Sequence, residues 1–332
     1  MSLKQMIVFI GVSYGIMALL PILVGDIPFI MNILVMCLIW AVVASCWDVM
    51  MGFAGIFSFG QVAFFVIGAY CSAILSVSHG ITPTVAIVLG GVFTAGMGVL
   101  VGLPCLRLAG PYIALVTFGV HMALQPLLRG EIGIAIGSGG ALGLLTIPPI
   151  SLFGYDFTTN NIVPTFYLIL LISLACILAI MFMIKSYWGN AFLALKDSEE
   201  FAMSLGISAF KYKLMVFAIT SFLTGIIGGV YGHFYGVLSV RMLDLDLFSI
   251  LMVMILAGGL GHFPGAVLGS FLVVAGSELM APLGAYRAVT MGALVVILVL
   301  ALPDGVMGIL FKWLNKGNTD NQVVNHSNGS VH

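Results

Sequence analysis

Residues 163–184 read VPTFYLILLISLACILAIMFMI, carry no charged side chain, and run directly into Lys185. A helix that crosses a bilayer needs about 20 consecutive apolar residues, and this run supplies them. The same pattern repeats outward in both directions. Bounded by charges, prolines and polar clusters, candidate spans fall near 5–24, 28–49, 56–77, 83–103, 109–128, 163–184, 214–237, 248–262, 266–283 and 288–303. The third and eighth are rich in Gly, and the eighth is short. The first is longer than the apolar core of a signal peptide, about 7–15 residues, and no A-x-A site follows it, so it reads as a span.

Composition agrees. Of 332 residues 61% are hydrophobic and 7% charged, against about 25% charged in soluble domains. Eleven Lys and Arg with a net charge of −1 form no basic patch, which argues against nucleic-acid binding. Cys37, Cys46, Cys71, Cys105 and Cys176 all lie in apolar stretches without CxxC spacing, and read as small packing residues. The expected fold is an all-α polytopic membrane protein of about ten transmembrane helices.

Loop charges orient it by the positive-inside rule. With both termini in the cytoplasm, Lys4, Arg107, Lys185, Lys196, Lys211, Lys213, Lys312 and Lys316 are inside, and only Arg129, Arg241 and Arg287 are outside. Ten spans divide as five plus five, so the second half enters inverted, the arithmetic of inverted-repeat transporters. Residues 1–316 form one transmembrane domain. A polar, Asn-rich tail, 317–332, is expected to be a disordered cytoplasmic extension. Two connections are long: 129–162 outside and 185–213 inside.

The inner connection contains ALKDSEEFAMSLGISAFKYK at 194–213. Asp197 can N-cap a helix there, with Glu200 completing a capping box and Glu199 favouring the positive helix end. Gly206 is a natural stop. Phe201, Ala202 and Leu205 would share one apolar face. So short a helix is marginal alone and needs a surface to lie on, either lipid headgroups or a groove on a soluble subunit. Lys196, Lys211 and Lys213 flank it.

This run, with Gly55-Ile-Phe-Ser58-Phe-Gly60-Gln61, Leu106-Arg107 through Gly110-Pro-Tyr112-Ile-Ala114-Leu115, Gly139-Gly140 through Gly143-Leu144, and Ser249-Ile250 through Gly258-Gly259-Leu-Gly261 and Gly265 to Gly269, resembles the branched-chain amino-acid ABC permeases of the LivM/LivH type. The motifs appear in family order over about residues 30–310. Phe201, Glu200 and Ser138 depart from the usual residues. The resemblance implies a type II ABC-importer-like permease in the bacterial inner membrane. Its implied partners are separate ATPase subunits that bind the ATP, a second permease subunit, homologous or identical, and an extracytoplasmic solute-binding protein. It further implies that Lys196, Asp197, Glu199, Glu200, Phe201, Ala202, Leu205 and Gly206 belong to the helix that couples to the ATPase. The implied solute is a branched-chain amino acid, with urea and short amides carried by close relatives.

The chain has no GxxxxGK[ST] loop, so no ATPase site and no cofactor of its own are expected. HExxH, GxSxG and paired intramembrane aspartates are also missing from the sequence, which counts against a membrane enzyme. An ion-coupled transporter would need a buried titratable pair. Polar residues inside a membrane face a cavity or a partner helix. Ser58, Gln61, Thr117, His121, Gln125 and Ser249 are the pathway-lining candidates, joined by Glu278. Thr117, His121 and Gln125, spaced by four, form one helix stripe; interhelical hydrogen bonding is the other reading for each. Asp48 and Glu278 read as partly exposed span-end residues, and the tryptophans, including Trp188 and Trp313, as interface anchors. Gly225, Gly228, Gly229 and Gly232 suit close helix packing. The runs 52–60 and 258–265 sit in corresponding places of the two halves, which suits broken helices.

Overall fold

A computed structural model of the chain describes residues 3–25, 27–108, 110–152, 155–280, 290, 292–293 and 305–308. Of the tenth expected span (288–303) only 290 and 292–293 are described, and the tail 317–332, Arg287, Lys312, Trp313 and Lys316 lie outside the described residues.

Among the described residues twelve α-helices are defined, the longer ones on the apolar runs. They are α1 (Leu3–Val24), α2 (Pro28–Asp48), α3 (Gln61–His79), α4 (Pro83–Cys105), α5 (Pro111–Arg129), α6 (Glu131–Ala135), α7 (Ile162–Lys185), α8 (Tyr187–Asp197), α9 (Glu199–Ser204), α10 (Ala209–Tyr235), α11 (Leu245–Gly258) and α12 (Gly265–Leu279). Among the described residues seven helices are long and apolar enough to cross a membrane: α1 to α5, α7 and α10. The expected eighth and ninth spans are shorter. With 14 and 15 residues, α11 and α12 extend about 21 and 22 Å, against a hydrocarbon core of about 30 Å. The expected third span also starts late. Residues 54–60 are irregular, and the helix begins only at Gln61.

The cause is the end of α2. It passes into a π-helical turn, Val49–Phe53, where Ala54 N–H donates to the Val49 carbonyl at 3.0 Å. Gly55, at φ +66°, then takes the chain out of the helix, and π turns are frequent at functional sites. Proline opens α2, α4 and α5, where its missing N–H costs nothing.

The core is built around α2 and α10. α3, α4 and α10 pack with their backbones in contact. A Cβ added at Gly68 would sit 2.3 Å from the Gly225 Cα, and one at Gly228 would sit 2.2 Å from the Phe65 carbonyl oxygen. Small residues permit this approach, which in lipid substitutes for a hydrophobic driving force. α1 and α5 pack loosely, with Leu23, Leu115 and Tyr112 exposed.

The connection 129–162 carries α6 and a small antiparallel hairpin, Ile150–Leu152 with Tyr155–Phe157. Leu144 and Leu238 exchange both main-chain hydrogen bonds, at 3.0 and 2.8 Å. His233 of α10 fastens this connection to the bundle. Its Nδ1 lies 2.7 Å from the Pro148 carbonyl oxygen and its Nε2 2.8 Å from Ser72 Oγ. A carbonyl only accepts, so Nδ1 carries the proton and Nε2 accepts from the Ser72 hydroxyl.

Candidate functional site

The connection 185–213 folds as two consecutive helices. Ser186 caps α8, accepting from Trp188 N–H at 3.2 Å, and α8 buries Ala191, Phe192 and Leu195. α9 is capped by Ser198, which accepts from Phe201 N–H at 3.4 Å. This corrects the expected capping box. Asp197 is the last residue of α8, and Glu200 is the second residue of α9, too early to reach back to the cap. The expected stop holds. Gly206 has φ +86°, its N–H donates to the Met203 carbonyl at 2.9 Å, and Ile207 N–H donates to the Ala202 carbonyl at 3.1 Å. These two bonds are a Schellman ending, with Ile207 packed back on Ala202.

The expected apolar face is divided. Ala202 is fully buried against Leu195 and Ala209, while Phe201 is 65% and Leu205 66% exposed. Three residues spaced i, i+1, i+4 span too wide an arc for one shallow contact, and only the smallest fits beneath the helix. Lys213 Nζ pairs with Glu199 Oε2 at 2.6 Å, which ties the first turn of α9 to α10. The neighbouring Tyr187, Trp188 and Met203 are also exposed.

The polar candidates separate into three places. Thr117 and His121 are buried on the inner face of α5. Thr117 Oγ1 donates to the Ile113 carbonyl at 2.8 Å and accepts from Phe59 N–H at 2.9 Å. Both ring nitrogens of His121 are buried without a hydrogen bond. The Leu243 carbonyl faces the ring without closing one. Ser58 is buried beside them, its carbonyl accepting from Trp47 Nε1–H at 2.6 Å. Gln61 instead engages Thr224 of α10 through its side-chain amide. Gln125, half-buried, donates to Asp244 Oδ1 at 2.6 Å. Ser249 is exposed and returns its hydroxyl to the Leu245 carbonyl of its own helix at 2.8 Å.

Two features were missed. The first is an aromatic cluster at the Thr117–His121 stripe. Trp47, Phe59, Phe118 and Phe248 come from α2, the 54–60 segment, α5 and α11. Their ring centroids lie 5.4 to 6.4 Å apart. His121 stacks on Phe118 at 6.2 Å and lies 6.0 Å from Phe248. Trp40 and Trp47 are thus core residues, not interface anchors. Phe59 and Phe118 lie in ordinary apolar runs, so nothing in the sequence marks them.

The second is the setting of Asp48. Far from being partly exposed, it is completely buried, and its Oδ1 accepts from Gly261 N–H at 2.6 Å. A carboxylate that near the end of an apolar run looks like a boundary residue. Only the fold reveals that the two glycine-rich breaks meet there. Glu278 is half-buried as expected. It lies with Arg241, Asp244 and Asp246 on a cavity of about 590 Å³ between α2, α10, α11 and α12, whose walls include Trp40 and Tyr231. The cysteines are all free, four buried and Cys71 half-buried.

With this geometry in place, comparison with known proteins is informative. Residues 29–302 match the family described as the permease component of branched-chain amino acid transport systems. The high-affinity branched-chain amino acid transport system permease protein LivM of Salmonella typhimurium is 27% identical over 318 residues, 88% of this chain and 74% of its own length. LivM of Escherichia coli is 26% identical, covering 83% of this chain and 69% of its own. A probable branched-chain amino acid transport permease protein LivH of Methanocaldococcus jannaschii is 25% identical over 65% of this chain and 69% of its own. No solved structure matches the chain.

Proposed function

The chain belongs to the family of branched-chain amino acid permease components, and from that premise we propose that it imports branched-chain amino acids as one of two membrane subunits of an ATP-driven complex. It is a multi-pass membrane transport subunit. In this reading ten spans form two inverted five-helix halves of the type II importer kind, within one domain over residues 1–316, and both termini face the cytoplasm. An extracytoplasmic binding protein delivers the solute to the outer face. ATP is bound and hydrolysed by separate subunits, this chain having no such site and no cofactor.

The observation that carries the coupling role is α9. A helix of six residues is too short to persist in water by itself. Here it is held from beneath by Ala202 and the Glu199–Lys213 pair, and it presents Phe201 and Leu205 outward. That arrangement supports a rigid knob for a groove on a soluble ATPase. The residues 196–206 are its coupling element, and Ser58, Thr117 and His121 line the pathway beside the aromatic cluster.

Reconstitution in liposomes with the ATPase subunits, a second permease and the binding protein tests both parts. Leucine, isoleucine or valine should stimulate ATP hydrolysis and enter the lumen only with ATP present. Stimulation by urea or short amides alone would move the chain to an amide importer. Uptake driven by an ion gradient without ATP would overturn the proposal.

A further inference from the structure

Three segments distant in sequence converge on Gly52. It lies in the π-helical end of α2, where the carbonyls of a last helical turn lack helical partners and carry the negative end of the dipole. Lys196, on α8, donates from Nζ to the Gly52 carbonyl at 2.6 Å. Its stem lies on Gly55, where an added Cβ would sit 3.0 Å from Lys196 Cγ. From the other side comes the turn after α11. A Cβ at Gly52 would lie 2.4 Å from Gly261 N, so the two main chains touch. Gly261 N–H is in turn held by the buried Asp48. The second carboxylate oxygen of Asp48 is buried without a hydrogen bond, and Lys196 acts on that carboxylate electrostatically.

The ammonium therefore goes to a main-chain carbonyl at the π-helical end of α2, although Asp197 and Glu200 are nearer in sequence. Seven residues further on, the same irregular segment is anchored at its other end. Phe59 N–H is bound by Thr117, and the Ser58 carbonyl by Trp47. The 54–60 segment thus runs from Lys196 to the aromatic cluster.

We propose that Lys196 is the positioning residue that joins the inner loop to the paired breaks at Gly52 and Gly261, so that a displacement of α8 and α9 moves both breaks together and, through residues 54–60, the aromatic cluster over Thr117 and His121. This rests on reading 185–213 as the ATPase-docking loop. A helix pair that merely anchors the loop in place needs no charged contact with a helix break. A transmitting one does, because the break is where the membrane core can bend at low cost.

The test uses the complete complex in nanodiscs, comparing wild type with K196M, K196R and K196C, and with the double docking variant F201A/L205A. The readout is the ratio of solute-stimulated to unstimulated ATP hydrolysis. K196M and K196C complexes should assemble yet lose about fivefold or more of that ratio, the lower end of coupling between distinct sites, while K196R retains over half. Treating the K196C complex with 2-bromoethylamine forms a thioether with loss of bromide and rebuilds an ammonium at lysine length. Stimulation should return, with identically treated wild type unchanged. Full stimulation in K196M, or no recovery after aminoethylation, overturns the inference. So does a K196M complex that fails only by not assembling, with assembly and stimulation returning together, since Lys196 would then be a structural prop. If F201A/L205A leaves ATPase binding and stimulation intact, the docking reading fails instead, whatever Lys196 does.

Discussion

Gly225 and Gly228 lie inside an unbroken 27-residue helix, α10, whereas Gly52 and Gly261 lie where helices stop. Both pairs bring main chains into contact. In the first region the neighbours are continuous helices, and α3, α4 and α10 become one slab. In the second the neighbours are a π-helical end and a turn, and the contact is a joint. What separates them is whether the flanking residues can keep their i→i+4 hydrogen bonds through the contact. Around Gly225 they can. Around Gly52 the ladder has already widened, and its spare groups go to Lys196 and, through Asp48, to the facing turn.

Substitutions can break or sharpen that contrast. Gly68→Val should be the most damaging. Its Cβ would fall 2.3 Å from the Gly225 Cα, and a helix backbone cannot give way as a side chain can. The expected loss is about 3 kcal/mol, the upper end of overpacking costs, seen as collapse of the melting transition in detergent. Recovery of well-folded protein at wild-type yield would show that the slab is looser than the contact implies.

Gly52→Ala comes next. Its Cβ would meet Gly261 N at 2.4 Å and Asp48 Oδ1 at 2.5 Å, but a joint can shift where a slab cannot. We expect a stability loss of about 1–2 kcal/mol with nearly complete loss of uptake in vesicles. A variant that melts early yet transports normally would make this region another slab.

Gly206→Val tests the inner loop alone. Nothing lies within 4 Å of a Cβ there, so only the φ of +86° opposes it. Strain of about 1–2 kcal/mol is expected, confined to α9, so the global transition barely moves while affinity for the ATPase subunits drops in a pull-down titration. An unchanged affinity would free α9 from the docking role.

His121→Leu should have the smallest effect on stability. Removing two buried nitrogens that lack hydrogen bonds is expected to leave the melting temperature equal or to stabilise by about 1 kcal/mol. Uptake should fall if the solute meets the ring. Wild-type uptake in a stabilised variant would return His121 to packing.

Hydropathy alone located the seven long helices, because a bilayer demands runs of apolar residues and little else. It marked α11 as short but not α12, since the apolar run around α12 continues past the end of that helix. The inner loop was half legible. Gly206 announced its left-handed turn, but competition between Asp197 and Ser198 for the cap was decided by α8, which runs up to Asp197. Ala191, Phe192 and Leu195 carry the i, i+1, i+4 spacing that could have revealed α8. Of the polar stripe, the spacing of Thr117 and His121 correctly put both on one buried face. Their aromatic surroundings come from four separate segments, and no local pattern encodes that.

The paired Leu144 and Leu238 join the 129–162 connection to the segment after α10 by two main-chain hydrogen bonds. Alanine scanning is blind to such a clasp, because every amino acid except proline supplies the same amide. Homologues could exchange both leucines for any residue of similar bulk and keep it. An α-hydroxy acid at position 144, which swaps the amide for an ester and deletes one N–H, would read its strength directly. The clasp is therefore a part of the molecule on which selection acts through the shape of the chain and hardly at all through its spelling.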